Sequence, residues 1–381
     1  MNITFPFAFR PYSVYLTVQQ PPPDMRPPNH DDLPFTLADI RGRIPKRCFE
    51  ADMVKSVAYI ALDVAKLAAC VVVVAALRPF VSGSTVLAAS LWLLYSFIQG
   101  TTSFGLWVIG HECGHQAYFG HRRILNDVVG FIIHTFYLAP YFSWKYTHAT
   151  HHRYTNLNSM DTVYVPGRSA GLWHAIGEAF PPAHLVPMFF YLAIGWPMYL
   201  LTYVNGNPKH FPASHFSPWA PMFQPKERFF VVLSDVGIAC ALAAVGAASY
   251  VWGATEVAYW YGGSVFFNYV WLVLVTFLQH TDARVTHYDD SDGWTFLKGA
   301  LSTVDRDYGI FNSWMHHITD GHVVHHMFST MPFYHAEEVT PIIKEMCGEH
   351  YLTDGRPLPI QLWSSWLAFQ HNFVKSKTKV L

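Results

Sequence analysis

Long apolar stretches constrain the fold of this chain more than any other feature. A helix needs about 20 apolar residues to cross a bilayer. Five stretches of the 381-residue sequence are candidates, at residues 56–77, 84–108, 184–204, 229–252 and 257–279. Only 13% of the residues are charged, about half of the roughly 25% usual in soluble domains. The sequence therefore predicts an all-α integral membrane protein.

The distribution of basic residues predicts how the stretches are arranged, because Lys and Arg mark the cytosolic side of a membrane protein. They place residues 109–180 and 209–228 on the cytosolic side. The stretch 184–204 lies between these segments and contains two prolines, so we interpret it as peripheral or re-entrant. The other four stretches then form two hairpins, with both termini cytosolic. A fifth or sixth span with different parity is the alternative.

The two ends differ from the middle of the chain. Residues 1–34 are rich in proline and are predicted to be disordered. Residues 35–375 form one predicted membrane domain, and residues 376–381 a basic tail. In this tail Lys377 and Lys379 fit a dilysine retrieval signal of the endoplasmic reticulum, although an ordinary basic tail beside anionic lipid is the other interpretation. With a net charge of −1, the chain has no global field that would attract nucleic acid.

Histidine is unusually frequent, with 22 residues, and three clusters stand out. They are His111-Glu112-Cys113-Gly114-His115, His148-Ala149-Thr150-His151-His152 and His322-Val323-Val324-His325-His326. Each cluster contains a pair at i and i+4, and such positions share one face of a helix. All three lie on the predicted cytosolic side, and His280 ends the last stretch at the same depth. Eight or nine imidazoles exceed the four ligands of one structural zinc and suit two ions of iron, copper or zinc.

The same histidine clusters also fit two other kinds of protein. His111 to His115 also fits the HExxH pattern of zinc proteases, in which Glu112 would be the general base. That chemistry has no use for the other two clusters. A catalytically inactive histidine-rich membrane protein or a metal transporter is a third possibility. A transporter should carry ligands within its spans, where the main ionisable residues are Asp63, Lys66 and Asp235.

The clusters and several further motifs resemble those of the membrane-bound fatty acid desaturases, above all the plant and fungal oleate Δ12 desaturase group. The resemblance covers roughly residues 35–370. The further motifs are Trp144-Lys145-Tyr146, Phe277-Leu278-Gln279-His280-Thr281, Thr303-Val304-Asp305-Arg306-Asp307-Tyr308-Gly309 and Phe328-Ser329-Thr330-Met331-Pro332. It implies two non-haem iron ions held by His111, His115, His148, His151, His152, His322, His325 and His326, with His280 as a further ligand.

The resemblance also implies a reaction and its partners. The family uses O₂ to remove hydrogen from an unactivated C–H bond of an acyl chain, here expected to be linked to a membrane phospholipid. The expected electron donor is a separate cytochrome b5 with its reductase, since the sequence has no fused His-Pro-Gly-Gly domain. Arg122, Arg123, Lys145 and Arg153 could contact an acidic donor or serve only as positive-inside anchors. The expected location is the endoplasmic reticulum membrane, with the metal site cytosolic.

Two groups of residues near the histidines are further candidates. Metal-bound imidazole usually donates its other N–H to a carboxylate or a carbonyl, and Glu112, Asp161, Asp305, Asp307 and Asp320 could accept it. An exposed carboxylate or a helix cap is the alternative for each. Gly110 precedes His111, where plain Δ12 desaturases usually carry alanine, so a missing methyl beside the metal could shift the substrate. We favour Δ12 desaturation of oleoyl groups, with an acetylenase, a hydroxylase or an ω-3 (Δ15) desaturase as the alternative.

Overall fold

The computed structural model describes residues 27–165 and 180–378. The α-helices are α1 (Leu37–Arg43), α2 (Met53–Val81), α3 (Thr85–Gly114), α4 (Arg123–Phe136), α5 (Tyr141–Arg153), α6 (Leu185–Thr202), α7 (Arg228–Trp252), α8 (Ala254–Val257), α9 (Gly263–His280), α10 (Phe296–Leu301), α11 (Ile310–Trp314), α12 (His322–Met327), α13 (Ala336–Cys347) and α14 (Leu358–Thr378). Strand β1 (Val304–Arg306) pairs in parallel with β2 (Leu352–Asp354). The chain is helical almost throughout the described part, as predicted.

Two long helical hairpins form the body of the molecule. In the first, α2 begins after Asp52, whose carboxylate accepts from two backbone amides, and α3 begins after the Ser84 cap. In the second, Gly253 ends α7 with a positive φ of 91°, and α8 and a π-helical turn lead into α9. Arg78 and Glu256 form an ion pair between the hairpins (Nη1–Oε2 2.6 Å). Helix α3 packs against both α2 and α9, so the hairpins form one unit.

Four helical segments are long and apolar enough to cross a membrane, namely Met53–Val81, Pro181–Thr202, Arg228–Trp252 and Ala254–His280. Three of them correspond to predicted spans. The predicted span in α3 is not among the four, because polar residues such as Gln99 and Thr101 lie in its second half, where they are buried against neighbouring helices. Its 30 residues nevertheless extend about 45 Å, at about 1.5 Å per residue.

Helix α6 is the segment predicted to be peripheral or re-entrant. At its beginning the ring of His184 contacts Trp363 of α14 (6.1 Å between centroids). Just after its end, the carbonyl of Asn205 accepts from the Val165 amide (2.8 Å). Between these ends α6 packs along α9. Its peripheral or re-entrant position stays a prediction.

A smaller helical cap covers one end of the hairpins. Its apolar core joins α1, α10, α12 and α13 through buried residues such as Ile40, Leu301, Val324 and Val339. The parallel pairing of Val304 with Leu352 ties the chain before α12 to the chain before α14. The cap thus holds α12 against the ends of α3 and α9.

Near the two ends of the chain, the structure differs from the predicted boundaries at residues 34 and 375. Residues 1–26 and 379–381, including Lys379 of the dilysine motif, lie outside the described residues. His30 is buried with its Nδ1 3.3 Å from the Tyr288 hydroxyl, and Asp31 pairs with Lys298 (2.9 Å). The segment predicted to be disordered up to residue 34 is therefore packed from His30 onward. Helix α14 continues to Thr378, past the predicted domain boundary at residue 375.

Candidate metal centre

The nine predicted histidines meet at one place and divide into two groups. We call His111, His115, His148, His152 and His325 cluster A, because one ring nitrogen from each lies within 4.8 Å of the others. We call His151, His280, His322 and His326 cluster B. Three of these satisfy the same criterion, and His322 Nε2 lies 3.1 Å from His280 Nε2. The rings of His152 and His326 stack at 4.1 Å, so the two clusters adjoin.

The spacing of the ring nitrogens fits metal ligation. Two nitrogens that bind one ion at about 2.1 Å and at a right angle lie about 3 Å apart. In cluster A, Nε2 of His148 lies 2.8 Å from Nε2 of His111 and 3.1 Å from that of His152. In cluster B, Nε2 of His151 lies 3.3 Å from that of His280. Among the described residues, Nε2 of His115, His325 and His326 is buried without a hydrogen-bond partner, as expected of atoms that face a cation.

Four helix ends deliver these histidines. His111 and His115 end α3, and His280 is the last residue of α9. The second sequence cluster occupies the last two turns of α5, and the third opens α12. Members of one sequence cluster separate here, since His151 belongs to cluster B while His148 and His152 belong to cluster A. The same holds for His325 and its neighbours in α12.

Hydrogen bonds fix the tautomers of two cluster B histidines, His151 and His326. The Nδ1–H of His151 donates to Asp161 Oδ1 (2.8 Å), and Asp161 is itself held by the amides of Asn156 and Val163. Nδ1 of His326 lies 3.0 Å from Thr155 Oγ1, whose own hydrogen goes to the His151 carbonyl (2.8 Å). A proton held on Nδ1 leaves the lone pair on Nε2, directed into the cluster.

Cluster A is supported differently. Oε1 of the buried Glu112 lies 3.2 Å from His111 Nδ1 and 3.4 Å from His325 Nδ1. Neither oxygen of Glu112 makes a well-aligned hydrogen bond among the described residues. One carboxylate therefore sits between two ligand rings. Glu112 faces the outer edges of these rings, which is not where the general base of a single-zinc protease would act.

The other three candidate carboxylates make contacts elsewhere. Asp305 accepts from the Val323 amide (2.9 Å) and the Tyr351 hydroxyl (2.5 Å), so it caps the start of α12. Asp307 accepts from Gly309 and Asn312, and Asp320 faces His317 (3.1 Å). We therefore correct the expectation for these three, because their contacts in the described part of the chain do not reach the nine histidines.

Burial favours the neutral form of four clustered imidazoles, those of His148, His152, His325 and His326. It lowers the pKa of His148, His152 and His326 well below the usual value for histidine, and the neighbouring imidazoles lower it further. Burial likewise lowers the pKa of His325 to about 3. Neutral imidazole is the form that binds metal.

Arg306 is a site residue that the sequence did not reveal. It is fully buried, and its guanidinium donates to the carbonyls of Leu278 (2.6 Å) and Thr281 (2.9 Å), on either side of His280. It also pairs with Asp354 (2.8 Å) and Asp282 (3.1 Å). Arg306 thus fixes the end of α9 that presents His280. The only signal in the sequence was its place in a family-like motif.

A cavity adjoins both clusters. We call it the inner cavity. His111 and His148 of cluster A and His151, His280 and His322 of cluster B form part of its wall. Its other lining residues are mostly apolar or aromatic, among them Trp107, Trp144, Leu272 and Phe277. The histidines therefore face a space suited to an apolar substrate.

Gly110 does not face this cavity or the metal ligands. A methyl group there would lie 2.5 Å from Cδ2 of His134 on α4. The His134 ring stacks on Trp107 (4.6 Å) and contacts Trp144 (4.9 Å). The predicted geometry, a missing methyl beside the metal, is therefore wrong, because successive residues on a helix point about 100° apart. A side chain at position 110 would therefore affect the cavity indirectly, through His134 and the two tryptophans.

The ionisable residues within the hairpins belong to no ligand cluster. Asp63 of α2 is buried and pairs with Nε2 of His316 (2.6 Å) and with Lys66 (2.9 Å). This pairing joins α2 to the cap. A transporter would instead place metal ligands along its spans.

The fold and the site together define a membrane enzyme with histidine clusters that could bind metal beside an apolar cavity. Residues 88–357, more than half of the chain, match the model of the fatty acid desaturase family. The chain belongs to this family and is an oxidoreductase.

The chain is similar to several plant enzymes at nearly equal levels. It is 40% identical over 335 residues to an acyl-lipid (9+3)-(E)-desaturase of Dimorphotheca sinuata, which covers 88% of this chain and 87% of that one. It is 40% identical to the oleoyl-12-hydroxylase of Ricinus communis, over 88% and 86% of the two chains. It is also 40% identical to a Δ12 fatty acid desaturase of Calendula officinalis, over 88% and 87%.

Proposed function

We propose that this enzyme introduces a Δ12 double bond into oleoyl groups of membrane lipids, using O₂ and two iron ions held by clusters A and B. One observation carries the proposal: histidines of both clusters line the same apolar cavity. An acyl chain in this cavity would pass both ion sites at once. The named relatives include Δ12 desaturases, which supports the position of the new bond.

The residues of the chain have separable roles in this reaction. The iron pair would supply the oxygen chemistry needed to break an unactivated C–H bond, which no side chain provides. Clusters A and B would hold the ions through Nε2, while Asp161 and Thr155 keep the rings of His151 and His326 in the correct tautomer. Trp107 and Trp144 form an apolar wall beside the ligands and would exclude water from the reacting methylene.

We propose that electrons come from a separate cytochrome b5 and its reductase. Arg122, Arg123 and Arg153 are exposed on the short helices next to the metal centre and could contact an acidic donor. Lys145 differs, because it is partly buried and paired with Asp127. The donor surface would therefore rest on the three arginines.

We further propose that the metal centre faces the cytosol from the endoplasmic reticulum membrane. The basic segments before α2 and α7 support this orientation through the positive-inside rule. The ends of α3 and α9 that carry ligands lie at the same end of the hairpins as those segments.

The proposal also includes the type of product, a Δ12 double bond. A desaturase, a hydroxylase and a Δ12 fatty acid dehydrogenase all match this chain with 40% identity, so overall similarity does not separate them. A hydroxylase, an acetylenase or an ω-3 desaturase remains the second candidate. Gly110 is our proposed product-tuning residue, because His134 occupies the space of its missing methyl and supports the cavity wall.

Expression in a yeast that lacks polyunsaturated fatty acids tests the proposal. The wild-type chain should produce an 18:2 acid with bonds at Δ9 and Δ12, located by mass spectrometry of bond-position derivatives. His325→Ala should produce none at equal expression. A hydroxyl group or a triple bond would favour the second candidate. No new product from endogenous oleate or from supplied linoleate would refute the family chemistry in this chain.

A further inference from the structure

A second cavity lies outside the inner one, between α6 and α14. Its walls come from both helices, including Phe190 and Ile194 of α6 and Trp366 and Phe369 of α14. We call it the outer cavity. Four residues, Tyr191, Gly195, Val204 and Asn205, line both cavities. We call these four residues the neck, because they form the wall that the two cavities share.

The lining of the outer cavity follows the helical repeat of α6. Val186, Phe190, Ile194 and Met198 are spaced four residues apart and so lie in one stripe along the helix. All four line the outer cavity and remain exposed, by 38–54%. Since α6 is long and apolar enough for a membrane, this exposed stripe suits contact with lipid chains.

The neck lies close to the metal centre. The Tyr191 ring contacts Phe277 of α9 at 5.2 Å between centroids. Phe277 lines the inner cavity and lies three residues before His280, about 4.5 Å along the helix. On the other side, Tyr191 contacts Trp366 at 5.9 Å. Tyr191 therefore stands between the outer cavity and the ligand end of α9.

Charge argues for the kind of molecule that would use this route. Among the described residues, neither cavity is lined by Lys or Arg. The polar side chains of the neck are Tyr191 and Asn205, and Asn205 Nδ2 donates to the Tyr191 hydroxyl (3.2 Å). A water-soluble thioester with several phosphates would need cationic partners at its entrance, whereas an acyl chain arriving from the bilayer would not.

We propose that the acyl chain of a bilayer glycerolipid enters from the side, between α6 and α14, and passes the neck to reach the inner cavity. This inference rests on the proposed function and adds the route by which the acyl chain enters. The lipid head group stays at the membrane surface while the chain alone enters. Gly195 is the critical position, because even a Cβ there would lie 3.3 Å from Val273 of α9.

Gly195→Phe tests the route, with Gly246→Phe on α7 as the matched control, since a Cβ at Gly246 meets nothing within 4 Å. Membranes from the expressing yeast are supplied with labelled dioleoyl phosphatidylcholine, and desaturation of its chains is measured. We expect Gly195→Phe to lower the rate at least tenfold at unchanged protein level, and Gly246→Phe to keep it. Full activity of Gly195→Phe would overturn the route, as would faster use of oleoyl-CoA than of the phospholipid by the wild type.

A labelling experiment on the wild type separates the route from folding defects and from turnover. Phosphatidylcholine with a diazirine in its acyl chain is photolysed in the same membranes, and adducts are mapped by mass spectrometry. We expect adducts in residues 186–198 and 366–369, reduced by excess dioleoyl phosphatidylcholine. Adducts confined to other helices would overturn the proposal. Labelling at the neck without any new double bond would refute the proposed function and leave the route standing.

Discussion

Clusters A and B are built from the same side chain but are held in different ways. In cluster B, His151 and His326 have hydrogen-bonded Nδ1 atoms, and Arg306 fixes the helix end that carries His280. In cluster A, one carboxylate, Glu112, lies between two ligand rings without a well-aligned hydrogen bond. The protein's own hydrogen bonds therefore orient two of the four cluster B rings and position a third, whereas cluster A has one shared carboxylate.

This difference has a consequence for metal binding. Ligands that are already oriented lose less conformational freedom when the ion arrives. We therefore expect cluster B to bind its ion more tightly than cluster A. The following predictions test this asymmetry and the role of its surroundings.

Removing one ligand from each cluster should have the largest effect. His325→Ala in cluster A and His326→Ala in cluster B should each abolish product formation, because histidines of both clusters line one cavity and the reaction is proposed to need both ions. Iron analysis of the purified proteins should show about half of the wild-type content if each substitution empties a single site. The exposed His121 is the control, and His121→Ala should keep activity and iron. Retained activity in either ligand variant would contradict the two-cluster site.

Substituting the supporting carboxylates should weaken iron binding to different extents in the two clusters. Asp161→Asn removes the charged acceptor of His151 and should weaken iron binding by about 10–100-fold, the usual range for such partners. Glu112→Gln should have a smaller effect, since Glu112 makes no well-aligned hydrogen bond. Iron retention against increasing chelator measures both. An equal or larger loss for Glu112→Gln would show that the two clusters are supported alike.

Arg306→Lys should destabilise the protein while keeping the charge. A lysine cannot donate to the Leu278 and Thr281 carbonyls and to Asp354 together, since its ammonium lacks the planar fork of arginine. The buried carbonyl left without a donor should cost about 1–3 kcal/mol. Thermal unfolding in detergent measures this loss. Arg356→Lys is the control, because Arg356 bonds the same Asp354 from a more exposed position; equal losses would mean that the carbonyl bonds contribute little.

Gly110→Ala should have a specific effect on the product. The added methyl forces the His134 ring to move, which costs about 1–3 kcal/mol in a well-packed core. Because His134 stacks on Trp107, the cavity wall should shift and change the ratio of products. Gly246→Ala, in open space, should change neither. An unaltered product ratio with Gly110→Ala would remove Gly110 from product selection.

The sequence predicted which histidines lie together because their spacing is a local property. Histidines at i and i+4 share a helix face wherever the helix lies, and all nine meet in the structure. The supporting contacts were not predictable in the same way. Thr155 meets His326 and Arg306 meets Leu278 across long stretches of chain, and spacing carries no information about such pairs. The contact of Asp305 was unpredictable for the same reason, since its partner Tyr351 is distant in the sequence.

Local reasoning also failed where it ignored direction. Gly110 is adjacent to a ligand in sequence, yet it points toward α4 because a helix turns about 100° per residue. Helix α3 shows the related limit for hydropathy. Its polar residues are buried against α2 and α9. Mean hydropathy alone therefore does not identify α3 as one of the long helices of the hairpins.

The division of ligands along the chain sets an order of events during biosynthesis. Cluster A needs His325 in addition to four histidines of the first half, and cluster B needs His280, His322 and His326 in addition to His151. Neither cluster is complete until both hairpins are in the membrane and the chain has been made past residue 326. On the proposed function, iron loading would be a late step, and a chain stalled after the first hairpin would retain no iron when isolated with its ribosome.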